Sequence, residues 1–316
     1  MLLPKTSSFL FPGQGSQFVG MGAELAKAYS SARETFQVAD RVLGFRLSTL
    51  CWEGPEEKLN DTYNTQPALY VCGVAALRSL EEVAGTDFQP AYFAGHSLGE
   101  ITALACAGAL SFEDGLELVR ERGRLMKIAG ERQPGGMAAI LMLGRDQVIE
   151  ICSRASASTG MEVQLANDNC PGQLVISGHD SALQQAIDSA IDAGAKRVVR
   201  LPVSIAAHSP LMETVVEEYR TVVYSKVFLT PRITVIANTT SAPMVTPEDI
   251  RCELCDQLTD KVRWTETIQY LRSQGITDFV ELGSGEVLSG LIRRIDRTAQ
   301  TYAVEEPISI RRIVGL

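Results

Sequence analysis

The chain has 316 residues, a formal net charge of −9 and 45% hydrophobic residues. This length predicts about two domains, or one large domain with an insertion, and the hydrophobic content is enough for a sizeable core. The acidic balance argues against nonspecific binding to nucleic acid or to acidic membranes.

The N-terminal residues, the lack of a long apolar stretch and the cysteines favour a reducing cellular compartment. Residues 1–6 contain no apolar core of a signal peptide, and no stretch approaches the roughly 18 unbroken apolar residues of a membrane span. The seven cysteines fit free thiols in a reducing compartment. Cys252 and Cys255 form a lone C-x-x-C without a second pair or a nearby histidine, so they do not predict a metal site. We expect a cytoplasmic protein without a metal or cofactor of its own.

The first third of the chain alternates between strand and helix patterns. Ser7–Phe11 predicts a strand, and the loop that follows contains two glycines that let the backbone approach a ligand closely. Helical periodicity runs over residues 21–43. Residues 64–67 are expected to break the chain at Pro67, before an apolar helix over residues 68–83.

A nucleophile elbow is the strongest local signal. An apolar strand ends at Gly95, and Ser97, Gly99 and a helix of small residues follow. The pattern G-x-S-x-G between a strand and a helix raises a serine hydroxyl on a strained turn, and the glycines let strand and helix approach. The start of the helix supplies partial positive charge beside Ser97, which favours a developing oxyanion. The pattern predicts Ser97 as a nucleophile.

A separate unit is predicted after the helix over residues 112–129. The Gly- and Pro-rich residues 130–136 indicate a domain boundary. The next seventy residues or so read strand, helix, strand, strand, helix, strand, which is the order of a ferredoxin-like subdomain. The elements are predicted over residues 137–143, 145–156, 161–166, 174–177, 181–193 and 197–203. We predict a βαββαβ insertion over residues 133–203, within a large domain formed by residues 1–132 and 204–316.

The last part of the chain returns to alternating strands and helices. Strands are predicted over residues 233–237 and 278–282, with helices around them, ending with a last helix over residues 287–295. This alternation implies an α/β fold with a mostly parallel, hydrolase-like sheet and helices on both faces. Residues beyond 303 are expected to be loosely held.

A serine nucleophile needs a base within hydrogen-bond reach, and the chain has three histidines. His96 is expected to point away from its neighbour Ser97 and to pack at the elbow, while His179 belongs to a turn of the insertion. His208 follows the strand that returns to the large domain, and the order serine then histidine matches hydrolase-like sheets. His208 is therefore the predicted base.

A third group should accept the remaining imidazole N–H and select the tautomer of the base. This group does not have to be a carboxylate. Composition leaves Asp256, Gln257 and Asn238 open for this role.

Several motifs in fixed order carry a family resemblance. They lie at residues 11–17, 65–68, 95–100, 122–123, 136–139, 171–173 and 283–290. Together they span nearly the whole chain and resemble the malonyl-CoA:acyl carrier protein transacylase family, including the free-standing acyltransferases that serve polyketide synthases. The resemblance implies transfer of a malonyl or related carboxyacyl group from CoA to the phosphopantetheine thiol of an acyl carrier protein. It also implies a ping-pong mechanism through an acyl-enzyme, in fatty acid or polyketide synthesis.

The resemblance assigns the catalytic groups residue by residue. The nucleophile falls on Ser97 and the base on His208, and the glutamine whose carbonyl orients the base falls on Gln257. The oxyanion hole would use the backbone N–H groups of Gln14 and Leu98.

The resemblance also implies the substrate contacts. Arg122 would bind the malonyl carboxylate, because a guanidinium gives a planar, bidentate grip on such a group. Gln66 would line the acyl pocket, and Asn169 would contact the CoA or pantetheine arm. Many relatives carry phenylalanine or serine just before the base, whereas this chain carries Ala207. The extra room beside Ala207 leaves the choice between malonyl and α-substituted malonyl groups open.

Two alternatives belong to other functional classes. An acyl-thioester hydrolase could use Ser97 and His208 to transfer the acyl group to water. A hydrolase that acts on neutral acyl groups would not need Arg122. A catalytically silent module that docks carrier proteins is disfavoured because the chain keeps Ser97, His208 and Arg122. An acidic carrier would need a local basic patch, for which two candidates are Lys196, Arg197 and Arg200, or Arg293 and Arg294. The sequence does not determine the oligomeric state, and a monomer is expected.

Overall fold

The computed structural model describes residues 4–85 and 88–315. The sequence interpretation of the N-terminal stretch covers residues 1–6, and residues 1–3 of it lie outside the described residues. Within the described residues, ten strands form two sheets. They are β1 Ser7–Phe11, β2 Tyr92–Gly95, β3 Gly135–Leu141, β4 Val163–Cys170, β5 Gln173–His179, β6 Arg197–Arg200, β7 Thr234–Ile236, β8 Pro243–Met244, β9 Asp278–Leu282 and β10 Gln300–Val304.

Fourteen α-helices surround the sheets in the same described residues. They are α1 Ala23–Ala28, α2 Ser30–Leu43, α3 Leu47–Glu53, α4 Glu56–Leu59, α5 Thr62–Ala84, α6 Leu98–Cys106, α7 Phe112–Arg132, α8 Arg145–Thr159, α9 Asp180–Asp192, α10 Glu213–Tyr224, α11 Pro247–Asp256, α12 Trp264–Ser273, α13 Val287–Ile295 and α14 Pro307–Val314. Among these residues, no helix combines the length and the apolar character needed to cross a membrane.

The large sheet is mostly parallel and is covered on both faces. Its strand order is β10-β9-β1-β2-β7-β8, and only the pairing of β7 with β8 is antiparallel. Side chains alternate along a strand, so Phe9 and Phe11 of β1 enter one hydrophobic core while Leu10 enters another. Burial on both faces explains why residues 9–11 of β1 are apolar without alternation. The predicted hydrolase-like α/β sheet is confirmed.

The second sheet is antiparallel and has the order β4-β5-β3-β6. Helices α8 and α9 connect its strands, and the apolar side chains of sheet and helices form a core of their own. This is the βαββαβ arrangement of the predicted ferredoxin-like subdomain. The boundaries at residues 132 and 203 stay a prediction, and β3 to β6 all lie between them.

Helix α5 differs from the sequence expectation, because it begins at Thr62 and runs through Pro67. A proline inside a helix leaves the carbonyl four residues earlier without its usual N–H donor. Here that carbonyl belongs to Tyr63, and the guanidinium of Arg120 donates to it from Nη1 at 2.6 Å. A tertiary contact thus compensates for the proline. The predicted helix over residues 21–43 is likewise two helices, since Tyr29 is extended.

Residues 304–315 are held in the fold, so the expectation of a loose tail beyond residue 303 was wrong for them, and residue 316 lies outside the described residues. Strand β10 extends the large sheet by pairing with β9. Helix α14 then places Ile310 and Ile313, one helical turn apart, in the main core. Pro307 and the capping residue Glu306 start this helix.

The carboxyl ends of the parallel strands meet at one edge of the large sheet. Phe11 at the end of β1 is in register with Gly95 at the end of β2, and β7 lies beside β2 in the same direction. The loops that leave these strands carry Gln14, Ser97 and Asn238. Open α/β sheets bind their ligands at such an edge.

Candidate active site

Ser97 occupies a strained turn between β2 and α6. Its φ of 53° and ψ of −109° lie outside the regions that L-residues usually adopt. A Cβ on Gly95 would lie 1.9 Å from the Gly99 carbonyl, and a Cβ on Gly99 would lie 2.0 Å from the Phe11 oxygen. Only glycine fits at either position. The structure thus contains the sharp strand–turn–helix geometry expected of an elbow.

Two carboxamides hold this turn from both sides. The Ser97 N–H donates to Asn238 Oδ1 at 2.7 Å, and Gln257 Nε2 donates to the Ser97 carbonyl at 3.1 Å. A residue in such a conformation costs about 1–3 kcal/mol. Two hydrogen bonds, each contributing about 0.5–1.5 kcal/mol net, offset a cost of that size.

His208 is in direct contact with the serine hydroxyl. Its Nε2 lies 2.8 Å from Ser97 Oγ, and its Nδ1 lies 2.8 Å from the backbone carbonyl of Gln257 and 3.2 Å from that of Asp260. Carbonyl oxygens only accept, so Nδ1 carries the proton and the lone pair of Nε2 faces the hydroxyl. In this tautomer the imidazole can accept the serine proton.

His208 is neutral at physiological pH. Burial lowers its pKa to about 3, and the charge of Arg122 adds to the effect. Only the neutral imidazole can act as a base, so the environment keeps His208 in the reactive form over a wide pH range.

The depressed pKa of His208 gives a testable pH profile. The rate at which a neutral serine-directed phosphonate labels Ser97 should stay level from about pH 8 down to about pH 5, because His208 stays unprotonated in the free protein. An ordinary histidine titrates near pH 6.5. Inactivation rates measured across this range provide the check, and a fall of about tenfold per pH unit below 6.5 would contradict the assignment.

Arg122 projects from α7 into the same site and is 2% exposed. Its Nη1 donates to Gln66 Oε1 at 3.0 Å, while Nη2 donates to Gln257 Oε1 at 2.9 Å and to Ser97 Oγ at 3.2 Å. Burial lowers the pKa of Arg122, yet a guanidinium stays charged in proteins. Among the described residues these bonds use three of its five N–H groups, and its Nε has no partner. Arg122 lines the cavity beside the nucleophile, where its guanidinium can bind an anionic group.

A cavity of about 600 Å³ opens over Ser97 between the two sheets. Eight of the nine predicted site residues line it, and the ninth, Gln257, is fully buried behind them. The eight are Gln14, Gln66, Ser97, Leu98, Arg122, Asn169, Ala207 and His208. The insertion contributes Met137, Ala139 and Val175 to the wall.

Leu98 and Gln14 border the cavity together with Ser97. Leu98 is the first residue of α6, so its N–H has no acceptor within the helix. Gln14 follows β1, and its side chain is directed to Thr62 Oγ1 through a bond of 3.1 Å.

The other histidines and the open candidates also have defined places. His96 bonds Asn169 Oδ1 at 2.8 Å and packs edge-on against Trp264, whereas His179 ends β5. Asp256 is exposed. Of the three groups left open by composition, Gln257 supplies the carbonyl beside His208 and Asn238 supports Ser97.

The two basic clusters differ in their position. Arg200 forms an ion pair with Asp180 on the insertion. Arg293 and Arg294 are exposed on α13, and Arg294 Nη1 donates at 2.7 Å to Gln173, which lines the cavity.

Sequence reasoning missed the role of Glu100. This side chain is fully buried in the first turn of α6, and it accepts hydrogen bonds from the backbone N–H of Asn238 at 2.7 Å and from Gln257 Nε2 at 3.0 Å. A signal was present, because an acid within an otherwise apolar helix of small residues requires buried partners.

Comparison with known proteins identifies the family. The family described as the acyl transferase domain matches residues 8–316. The malonyl CoA-acyl carrier protein transacylase of Bacillus subtilis is 42% identical over 303 residues, which cover 96% of this chain and 94% of that protein. The polyketide biosynthesis malonyl CoA-acyl carrier protein transacylase PksC of Bacillus subtilis is 39% identical, with coverage of 93% of this chain and 98% of that protein.

Solved structures agree with this result. The malonyl-transacylase in the complex PlMCAT:AntF, whose partner is a type II polyketide synthase acyl-carrier protein, superposes with a TM-score of 0.94 at 39% identity, covering 98% of this chain and 99% of that chain. The malonyl CoA-acyl carrier protein transacylase of Coxiella burnetii superposes with a TM-score of 0.95 at 40% identity, covering 100% of this chain and 98% of that chain. The chain therefore belongs to the acyl transferase family and, within it, to the malonyl-CoA:acyl carrier protein transacylases.

Proposed function

We propose that this acyltransferase moves a malonyl or related carboxyacyl group from CoA to the phosphopantetheine thiol of an acyl carrier protein, through an acyl-enzyme on Ser97. The observation that carries the proposal is the position of Arg122, a buried guanidinium 3.2 Å from the hydroxyl that His208 activates. The names of the relatives, and the carrier protein bound in one related structure, support the same donor and acceptor.

In the first half-reaction, Ser97 Oγ attacks the carbonyl carbon of the thioester while His208 Nε2 takes the hydroxyl proton. The backbone N–H groups of Leu98 and Gln14 stabilise the oxyanion of the tetrahedral intermediate. The backbone carbonyl of Gln257 stabilises the transient imidazolium through its bond to Nδ1. The C–S bond then breaks, His208 returns the proton to sulfur, and CoA leaves as the thiol.

The second half-reaction repeats these steps with a different nucleophile. His208 takes the proton of the carrier's phosphopantetheine thiol, and its sulfur attacks the carbonyl carbon of the Ser97 ester. The ester C–O bond breaks, and His208 returns the proton to Ser97 Oγ. The protein uses no cofactor of its own in either half.

The remaining cavity residues fit the carboxyacyl substrate. A malonyl group on Ser97 places its carboxylate a short distance beyond the ester carbonyl, within reach of Arg122, and Gln66 holds that guanidinium from the opposite side. Asn169 lies on the cavity wall, where the pantetheine arm of either thioester would pass. Ala207 precedes the base and is 8% exposed, so its small side chain leaves space for the acyl α-carbon.

We infer the compartment from the thiols. All seven cysteines are free, two of them in the lone C-x-x-C motif, which fits a reducing compartment such as the cytoplasm.

The proposal is tested by measuring CoA release from malonyl-CoA with and without holo-carrier protein. Chromatographic separation of CoA from malonyl-CoA should detect about one equivalent of free CoA per protein without a carrier, followed by slow turnover, and rapid multiple turnovers with it. Carrier protein that lacks phosphopantetheine serves as the control and should give only the first equivalent. Rapid turnover without any carrier would identify a hydrolase and reject the transfer to a carrier.

A further inference from the structure

We propose that Glu100 is a positioning residue that orients both carboxamides around Ser97 and, through one of them, the Arg122 guanidinium. The inference deepens the proposed acyl transfer and rests on it. Glu100 contacts neither the cavity nor a reacting atom. Its effect passes through Asn238 and Gln257.

The Glu100 carboxylate is surrounded by donors. It is fully buried, its Oε2 accepts from the backbone N–H of Asn238 at 2.7 Å and from Asn238 Nδ2, and its Oε1 accepts from Gln257 Nε2 at 3.0 Å. Burial and the charge of Glu253 raise the pKa of Glu100 well above its usual range, and the donors of Asn238 and the charge of Arg122 oppose this rise only in part. Each hydrogen bond nonetheless presents an N–H group to the carboxyl oxygens, so the hydrogen-bond geometry favours the ionised form against that shift.

Together with one backbone carbonyl at each carboxamide, the Glu100 carboxylate selects the orientation of the two carboxamides beside the nucleophile. A carboxamide has a donor end and an acceptor end of nearly the same shape, and only its partners select the orientation. Because Asn238 Nδ2 donates to Glu100 and to the Gly95 carbonyl, its Oδ1 faces the Ser97 N–H. A rotated Asn238 would place its amide donors against the Ser97 N–H.

The same logic applies to Gln257, with a wider consequence. Its Nε2 donates to Glu100 and to the Ser97 carbonyl, so its Oε1 faces Arg122 and accepts from Nη2 at 2.9 Å. This Nη2 is also the atom 3.2 Å from Ser97 Oγ. Glu100 therefore sets the direction of the guanidinium without touching it, and supplies a counter-charge nearby.

Two other buried carboxylates show what a structural role looks like. Glu253 accepts from the backbone N–H and hydroxyl of Thr239. Glu281 accepts from the backbone N–H groups of Leu288 and Ser289 at the start of α13. Both satisfy local backbone or hydroxyl donors. Among the described residues, Glu100 is the carboxylate that binds both carboxamides in contact with Ser97.

The test uses Glu100→Gln, which keeps the shape but adds a donor where only acceptors fit. We expect a drop of about 10- to 100-fold in the labelling rate of Ser97 by a neutral phosphonate, the size expected for unsatisfied buried groups. The preference for malonyl-CoA over acetyl-CoA, measured as a ratio of kcat/KM, should fall as well because Arg122 loses its orientation. General destabilisation would lower kcat/KM equally for malonyl-CoA and acetyl-CoA and would leave their ratio unchanged.

Glu281→Gln is the matched control, since it also removes a buried carboxylate, here from β9 of the large sheet. It should lower the thermal midpoint of unfolding while the labelling rate and the substrate ratio stay at the wild-type values. If Glu100→Gln behaves in the same way, the inference is overturned.

Asn238→Ala tests the contact between Glu100 and Asn238 separately from that between Glu100 and Gln257. It is the deciding variant if Glu100→Gln does not fold. It should slow the labelling of Ser97 but retain the malonyl preference, because Gln257 still orients Arg122. An unchanged labelling rate would overturn the inference. Failure of the proposed function is a different result, in which the wild-type protein forms no malonyl adduct on Ser97 although the phosphonate labels it.

Discussion

Replacement of His208 by alanine should lower kcat/KM for malonyl transfer by about 100- to 10,000-fold, the range of a lost general base. The reason is geometric, since Nε2 is 2.8 Å from Ser97 Oγ and its tautomer is held by the Gln257 carbonyl. Neither half-reaction then has an acceptor for the thiol or hydroxyl proton. Steady-state rates with malonyl-CoA and holo-carrier protein measure the loss.

His179→Ala provides the control for this prediction. His179 ends β5 on the insertion and precedes α9, away from the Ser97 hydroxyl. Its replacement should leave the rate within about twofold of wild type, as most surface substitutions do. A His208→Ala protein that folds and transfers malonyl at the rate of His179→Ala would show that another group acts as the base.

Arg122→Ala should reduce the preference for malonyl-CoA over acetyl-CoA by about 100-fold or more. The guanidinium is 2% exposed, and losing one partner of a buried charge pair costs about 3–5 kcal/mol. Only the malonyl substrate brings a carboxylate to this position, so acetyl transfer should change far less. Arg122→Lys should have a malonyl preference between those of wild type and Arg122→Ala, because an ammonium keeps the charge but not the planar, bidentate grip.

Arg124→Ala is the matched control on the same helix. Arg124 forms a partly exposed ion pair with Glu121, and such pairs contribute little. Its substrate preference should equal that of wild type. If Arg122→Ala gives the same unchanged preference and folds normally, Arg122 does not bind the substrate carboxylate.

The elbow and the histidine that contacts its serine could be predicted from the sequence because the signals are local. Gly95 and Gly99 are required by contacts within one strand–turn–helix unit, and the chain offers only three histidines. The order of strands and helices likewise follows from short-range hydrophobic patterns. These features gave the α/β class and the βαββαβ unit.

The parts that could not be predicted depend on contacts between distant residues. Glu100 bonds Asn238 and Gln257, which are 138 and 157 positions away in the chain, so the motif shows that this acid needs buried partners but not which residues they are. Helix α5 continues through Pro67, where Arg120 from another helix donates to the Tyr63 carbonyl that the proline leaves without its helical donor. Neither contact leaves a short-range pattern.

Gln257 shows a subtler limit. The group that orients His208 is its backbone carbonyl, which every residue carries, so the side chains of the three open candidates could not decide among them. The Gln257 side chain has a separate task, since it contacts the Ser97 carbonyl, Glu100 and Arg122.

The most direct test of the account is the mass of the peptide containing Ser97 after brief mixing with malonyl-CoA and an acid quench. Without carrier protein, wild type should carry one malonyl group on Ser97, and Ser97→Ala should carry none. Addition of holo-carrier protein before the quench should move the group to the phosphopantetheine thiol. A malonyl group on Ser97→Ala, or carrier malonylation without any adduct on wild-type Ser97, would contradict the central claim of an acyl-enzyme.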